Sequence, residues 1–125
     1  MAARAIGWLL DADDRDRLFA RFPPRWPDAI AHHVTLAFAT DAPLPATPAE
    51  AAVVGHVDDG AGVEALVVAI DGETMRPDGS RYHITWSIDR ARGRTPRESN
   101  DVLAAHGWTP IAPPIAIRLI PGRID

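Results

Sequence analysis

Residues 32–38, HHVTLAF, and residues 81–87, RYHITWS, carry the same short pattern, a histidine followed two positions later by a threonine, in stretches that read as strands. A strand alternates its faces with period two. His83, Thr85 and Ser87 are therefore expected on one face, and Tyr82, Ile84, Trp86 and Ile88 on the other. The same parity joins His33 to Thr35 and sets Val34 and Leu36 opposite them. Two strands that each offer an imidazole and a hydroxyl to one side, and bury apolar residues on the other, point to a two-histidine active site.

Outward from the first motif, residues 4–10 (RAIGWLL) read as a strand. A helix follows from Asp11 or Asp13, with acidic residues at its N-terminus, an apolar stripe of Leu18, Phe19 and Phe22, and Pro23 and Pro24 as its stop. The prolines of residues 41–48 (DAPLPATP) predict a loop. Apolar runs at 51–57 and 63–70 flank DDGAG and predict an antiparallel hairpin. The turn RPDGS at 76–80 leads directly into the second motif strand, whose hairpin partner is expected to be 63–70. Thr95, Pro96, Glu98 and Gly107 mark the cap, first turn and stop of a helix over 95–107. Residues 115–124 (IAIRLIPGRI) read as one closing strand. The order predicts an α+β fold with two sheets facing across a groove and the motif faces meeting there.

A chain of 125 residues with 46% hydrophobic residues is long enough for one domain with a real core, over residues 1–125. With no cysteine, it holds neither a disulfide framework nor a thiolate nucleophile or metal site. Acidic residues interrupt the only apolar stretch near the N-terminus, so no signal or membrane span is expected, and the protein reads as cytoplasmic. All thirteen basic residues are arginines. The absence of lysine disfavours P-loop kinases, nucleotidyl-transfer ligases and Schiff-base enzymes, each of which relies on that amine. A net charge of −4 argues against broad capture of long nucleic acid. A local basic patch, Arg90, Arg92, Arg94 and Arg97, follows the second motif.

Two facing histidines can hold one neutral and one protonated ring near neutral pH, one taking a proton while the other gives one. Phosphodiester hydrolysis needs that pairing, together with donors for the phosphoryl oxygens, which Thr35 and Thr85 are placed to supply. No cofactor or metal is expected. A zinc site wants three or four ligands, and neither motif has a carboxylate on its strand face. Ser80, Ser87 and Ser99 lack the Gly-x-Ser-x-Gly elbow of a serine hydrolase. His32, His56 and His106 read as structural. Trp8, Trp26, Tyr82 and Trp108 are candidates to stack on a base, and Arg81 and Arg90 to contact phosphate.

The sequences HVTL at 33–36 and HITW at 83–86 resemble the paired signatures of the 2H phosphoesterase superfamily. HHVTLAF, and YHITWS with the later TPRESN, are most similar to the cyclic phosphodiesterase domain of plant and fungal tRNA ligases, although no residue of TPRESN takes a role from that likeness. The resemblance implies a compact bilobal, pseudo-twofold fold and metal-independent opening of a 2′,3′-cyclic phosphate on an RNA 3′ end or nucleotide to a 2′-phosphate. It makes His33 and His83 the general acid/base pair, with Thr35 and Thr85 on the phosphate, in a monomeric enzyme of RNA repair or processing. The same chemistry on a cyclic dinucleotide, an oligonucleotide 3′ end or an ADP-ribose cyclic phosphate is the neighbouring reading. A nucleotide- or RNA-binding module without turnover is the alternative from another class.

Overall fold

A computed structural model of the chain describes residues 5–38 and 41–124, so Arg4, included in the first expected strand, lies outside the described residues. The elements run β1 (Ala5–Leu10), α1 (Ala12–Arg21), β2 (Asp28–Ala29), β3 (His33–Phe38), β4 (Ala51–Asp58), β5 (Val63–Ile70), β6 (His83–Ile88), α2 (Ser99–His106), β7 (Thr109–Ala116) and β8 (Leu119–Ile124). They form an α+β fold with two antiparallel sheets, one of order β3-β1-β8 and one of order β2-β6-β5-β4-β7. No helix among the described residues is long and apolar enough to cross a membrane.

β5 has the near-continuous apolar sequence of a strand covered on both faces, and it sits at the centre of the larger sheet. Leu66, Val68 and Ile70 pack with Trp8, Leu18, Val34, Ile84 and Trp86 in a core that draws on both sheets. Val63, Ala65 and Val67 pack with Val57, Ile88 and the α2 residues Val102 and Leu103 on the other side. The prolines of β7 are tolerated because β7 is an edge strand, where a missing N–H leaves no ladder partner unpaired.

The predicted elements appear with three differences: β2 is an addition, α2 begins at Ser99 and not at Thr95, and the closing stretch is two strands in two sheets, the first starting at Thr109. β7 ends beside β4, where the Ile117 N–H still donates to the Ala51 carbonyl, and β8 begins against β1. Arg118, between them, is turned out of both ladders and onto α1. Its backbone N–H donates to Asp14 Oδ2 at 2.6 Å, and its carbonyl accepts the Asp11 N–H at 3.1 Å. Asp11 also caps α1 by accepting the Asp14 N–H. Apolar alternation runs through Ile115, Ile117 and Leu119 without a visible break, so the sequence pattern conceals the crossing.

Asp14 is buried, and besides Arg118 its carboxylate accepts from Arg17. Replacing Asp14 by Ala leaves the Arg118 N–H without its acceptor, and a loss of about 1.5–3 kcal/mol is expected in urea unfolding. Asp13→Ala, on the exposed side of the same helix turn, is expected to change stability by less than about 0.5 kcal/mol.

Candidate active site

The two motif strands belong to different sheets and meet because the chain leading into β3 crosses from one sheet to the other. The N–H groups of Ile30 and Ala31 donate to the Trp86 and Thr85 carbonyls of β6. One residue later, the His32 carbonyl accepts the Leu10 N–H, and β3 then pairs with β1. Ala31 makes the bend with φ +46°, a left-handed conformation unusual for a side-chain-bearing residue, and it is fully buried. β3 is thereby held in contact with β6.

His33, Thr35, His83 and Thr85 line one small pocket with Phe38, Arg76, Pro96, Arg97 and Asn100. Its volume is about 60 Å³. That is far below the ~300–1,000 Å³ of a pocket that encloses a whole small molecule, so it suits a group of phosphoryl size while the remainder of a larger ligand lies outside. A wider cavity of about 610 Å³ lies elsewhere, lined by Arg21, Phe22, Arg25, His56 and Glu64 among others. Its buried Glu64 is already satisfied by His56 Nε2 at 2.8 Å, Ser87 Oγ at 2.7 Å and the Arg25 N–H at 3.0 Å. The convergence of both motifs makes the smaller pocket the candidate site.

Strict alternation fails after each threonine. β6 pairs Thr85 with Ala65 and Ser87 with Glu64, leaving Trp86 unpaired. β3 pairs Thr35 with Gly7 and Ala37 with Ile6, leaving Leu36 unpaired. A one-residue bulge reverses the faces of all residues beyond it. Ser87, expected beside His83 and Thr85, is instead turned to the opposite face, where it bonds Glu64, and Ile88 joins the core cluster under α2. The bulge in β3 does the converse. It puts Phe38 on the His33 face, and Phe38, 45% exposed, lines the pocket.

Other expected contacts are also placed elsewhere. Trp8 and Tyr82 are buried in the core, ring to ring at 6.0 Å, and the Trp8 indole N–H donates to the Ala46 carbonyl. Trp26 donates to Asp58 and lies under Arg92, while Trp108 covers Gly55 and lies under Arg81. Arg81 directs its guanidinium to Thr74 and Trp108, away from the pocket. Its backbone carbonyl instead accepts from His83 Nδ1 at 2.9 Å. Arg90 is exposed outside the pocket and offers its backbone N–H to Asp28. Arg92 is paired with Asp89, and Arg94 with Asp59 and Glu98, so Arg97 alone of the basic patch reaches the site.

Sequence reasoning missed Arg76, Phe38 and Asn100. Nothing marks Arg76 among the thirteen arginines, and Asn100 sits in α2, inside the TPRESN stretch. That stretch packs on the second motif: Thr85 Oγ1 donates to the Pro96 carbonyl at 3.1 Å and lies 2.9 Å from Ser99 Oγ. The Thr85 hydroxyl is thus engaged, and it must exchange the Pro96 carbonyl for a phosphoryl oxygen in order to donate to one. His32, expected to be structural, places its Nδ1 3.0 Å from His33 Nδ1. Among the described residues no group of three or more His, Cys, Asp or Glu side chains is placed to hold a metal ion.

Burial draws the His33 ring down to about 4, with the neighbouring His32 and His83 rings adding to the shift. Burial likewise draws His83 down to about 4; the Arg81 carbonyl opposes this and the Arg76 charge reinforces it. Both rings are neutral near pH 7 in the unliganded site. A carbonyl only accepts, so neutral His83 keeps its proton on Nδ1 and presents a bare Nε2 lone pair. The His33 partner is another imidazole, which either gives or accepts a proton, so His33 has both tautomers open to it.

Comparison with protein-family models, curated proteins and solved structures gives no match. The chemistry is read from the pocket itself.

Between about pH 4 and 6.5 the folded chain binds fewer protons at His33 and His83 than the unfolded chain. The stability this confers is complete above about 6.5 and is lost as pH falls to about 4. At ~1.4 kcal/mol per unit, His83 alone accounts for about 3–4 kcal/mol of that loss. Histidine-ring NMR is expected to show both residues titrating below pH 5. Thermal melts of His83→Ala should lose part of the fall in Tm that the parent chain shows from pH 7 to 4.5; an undiminished fall would remove His83 from the account.

Proposed function

We propose that the chain is a metal-independent cyclic phosphodiesterase that hydrolyses a 2′,3′-cyclic phosphate on an RNA 3′ end or nucleotide, leaving a 2′-phosphate. The observation that carries the reading is the convergence of His33, Thr35, His83 and Thr85, from two sheets, on one pocket of phosphoryl size. Its cationic character, from Arg76 and Arg97 with no carboxylate in the lining, supports an anionic ligand. The bulge that follows each threonine supports the bilobal, pseudo-twofold 2H phosphoesterase architecture implied by the paired motifs.

In this reading His83, with its bare Nε2, is the base. It takes a proton from water as the water oxygen bonds to phosphorus. The bond from phosphorus to O3′ breaks, and His33 Nε2 donates the proton that O3′ needs. The sum is one water consumed, one 3′-hydroxyl and one 2′-phosphomonoester formed; His83 then releases its proton to solvent and His33 takes one up, which restores the starting state. The incoming phosphate charge opposes the burial that keeps His33 neutral in the empty site, so ligand binding shifts this ring toward its protonated form. The exposed face of Phe38 at the rim, with Arg97 5.8 Å from its centroid, offers the ligand outside the pocket an apolar and cationic edge.

Incubation with an oligoribonucleotide ending in a 2′,3′-cyclic phosphate, in EDTA, is expected to give a 2′-phosphate end. His33→Ala and His83→Ala should each lower the rate by about 10²- to 10⁴-fold. Full activity in both variants would overturn the assignment. Binding without turnover would point to the RNA-binding reading, and turnover of a cyclic dinucleotide in place of this substrate would move the chemistry to that ligand.

A further inference from the structure

Arg76 is a buried cation whose charge is poorly matched by the protein around it. Only 3% of it is exposed. Its three nitrogen atoms each hold one neutral acceptor: Nε donates to Ser80 Oγ at 2.7 Å, Nη1 to the Thr35 carbonyl at 3.2 Å, and Nη2 to Asn100 Oδ1 at 2.7 Å. The single carboxylate near it, Asp78, stands 3.7 Å from Nε, is 56% exposed, and is itself engaged by the Ser80 N–H and hydroxyl. Burying a guanidinium against neutral acceptors is costly unless an anion completes the site. Each terminal nitrogen carries two N–H groups and has one engaged, so one N–H on each remains for the oxygens of a phosphate. Arg76 lines the pocket beside His33 and His83, and the pocket has no acidic residue.

The charge on phosphorus changes during the proposed reaction. A cyclic diester carries one negative charge, whereas the five-coordinate state formed by water attack and the monoester product carry close to two. A fixed cation buried at the pocket wall favours the more charged species, and so acts on the transition state more than on the substrate. We propose, building on the phosphodiesterase reading, that Arg76 is the group by which this pocket recognises a dianionic phosphoryl group, holding the transition state and the monoester product in preference to the cyclic diester. Its three protein contacts fix the guanidinium in place, joining β3 through Thr35, the turn before β6 through Ser80, and α2 through Asn100.

Two measurements separate this proposal from the reading it rests on. In kinetics with a nucleoside 2′,3′-cyclic phosphate, Arg76→Gln is expected to lower kcat by about 10²- to 10³-fold with KM changed less than about threefold, and Arg76→Lys to recover part of the loss. In calorimetry, the parent chain is expected to bind adenosine 2′-monophosphate about tenfold or more tighter than its 2′-methyl ester, a preference absent in Arg76→Gln. An unchanged kcat, or a rise in KM alone, would overturn the proposal. So would equal binding of the monoester and the methyl ester by the parent chain, a result that stands even if Arg76→Gln fails to fold. A preference for the monoester that is lost in the variant, in a chain that hydrolyses no cyclic phosphate, would support Arg76 as the dianion receptor and refute the phosphodiesterase reading alone.

Discussion

The structure depends on a short seam where the chain leaves one sheet for the other. Residues 28–31 are hydrogen-bonded to β6, and from His33 onward the chain is bonded to β1. Backbone N–H groups buried at such a crossing must find partners. Here Ile30 and Ala31 bond to one sheet, and the His32 carbonyl bonds to the other. The left-handed turn at Ala31 reverses the chain between them. Because the crossing ends at the first motif and runs beside the second, it sets the distance between the two histidines. The second crossing, at Ile117 and Arg118, returns the chain to the three-stranded sheet and is fixed by α1 through Asp11 and Asp14.

On this frame the two bulges decide which side chains share the pocket. A strand alternates only while its ladder is continuous. Leu36 and Trp86 each interrupt it one residue after a threonine, and both pack into the core that draws on the two sheets. The Trp86 indole donates to the Phe22 carbonyl at the end of α1, which fixes the bulge where it is. The consequence is a site with an aromatic residue from β3 at its rim and no serine from β6 within it. Its electrostatics have a similar tertiary origin. Two of the four arginines of the basic patch, Arg92 and Arg94, are neutralised by Asp89, Asp59 and Glu98, whereas an isolated arginine seven residues ahead of the second histidine supplies the buried charge.

Much of the fold was legible because local signals were strong. The capping residue Asp11, the stops at Pro23 and Gly107, and the turns around DDGAG and RPDGS place α1, the end of α2 and the hairpin strands within a residue or two of their observed bounds, whereas Thr95 caps a short 3-10 turn over Pro96–Glu98 that leads into α2. The Glu98 carboxylate reaches back to the Thr95 N–H at 2.6 Å, as the capping pattern requires. The pairing of β5 with β6 followed from the RPDGS turn that leads the chain into β6. The split of the closing stretch was not legible, since Arg118 differs from other surface arginines only through its bond to Asp14, more than a hundred positions away.

The sequence by itself determined the α+β elements, the absence of thiol and lysine chemistry, and the four motif residues on two strands, because these depend on composition and on periodicity over a few residues. Only the tertiary structure decided that the motifs share one pocket, that Ser87, Trp8 and Tyr82 lie away from it, and that Arg76, Phe38 and Asn100 complete it. The physical reason is that bulges, sheet crossings and the burial of a charge arise from partners distant in the chain. A local pattern contains no information about which of thirteen arginines will be enclosed.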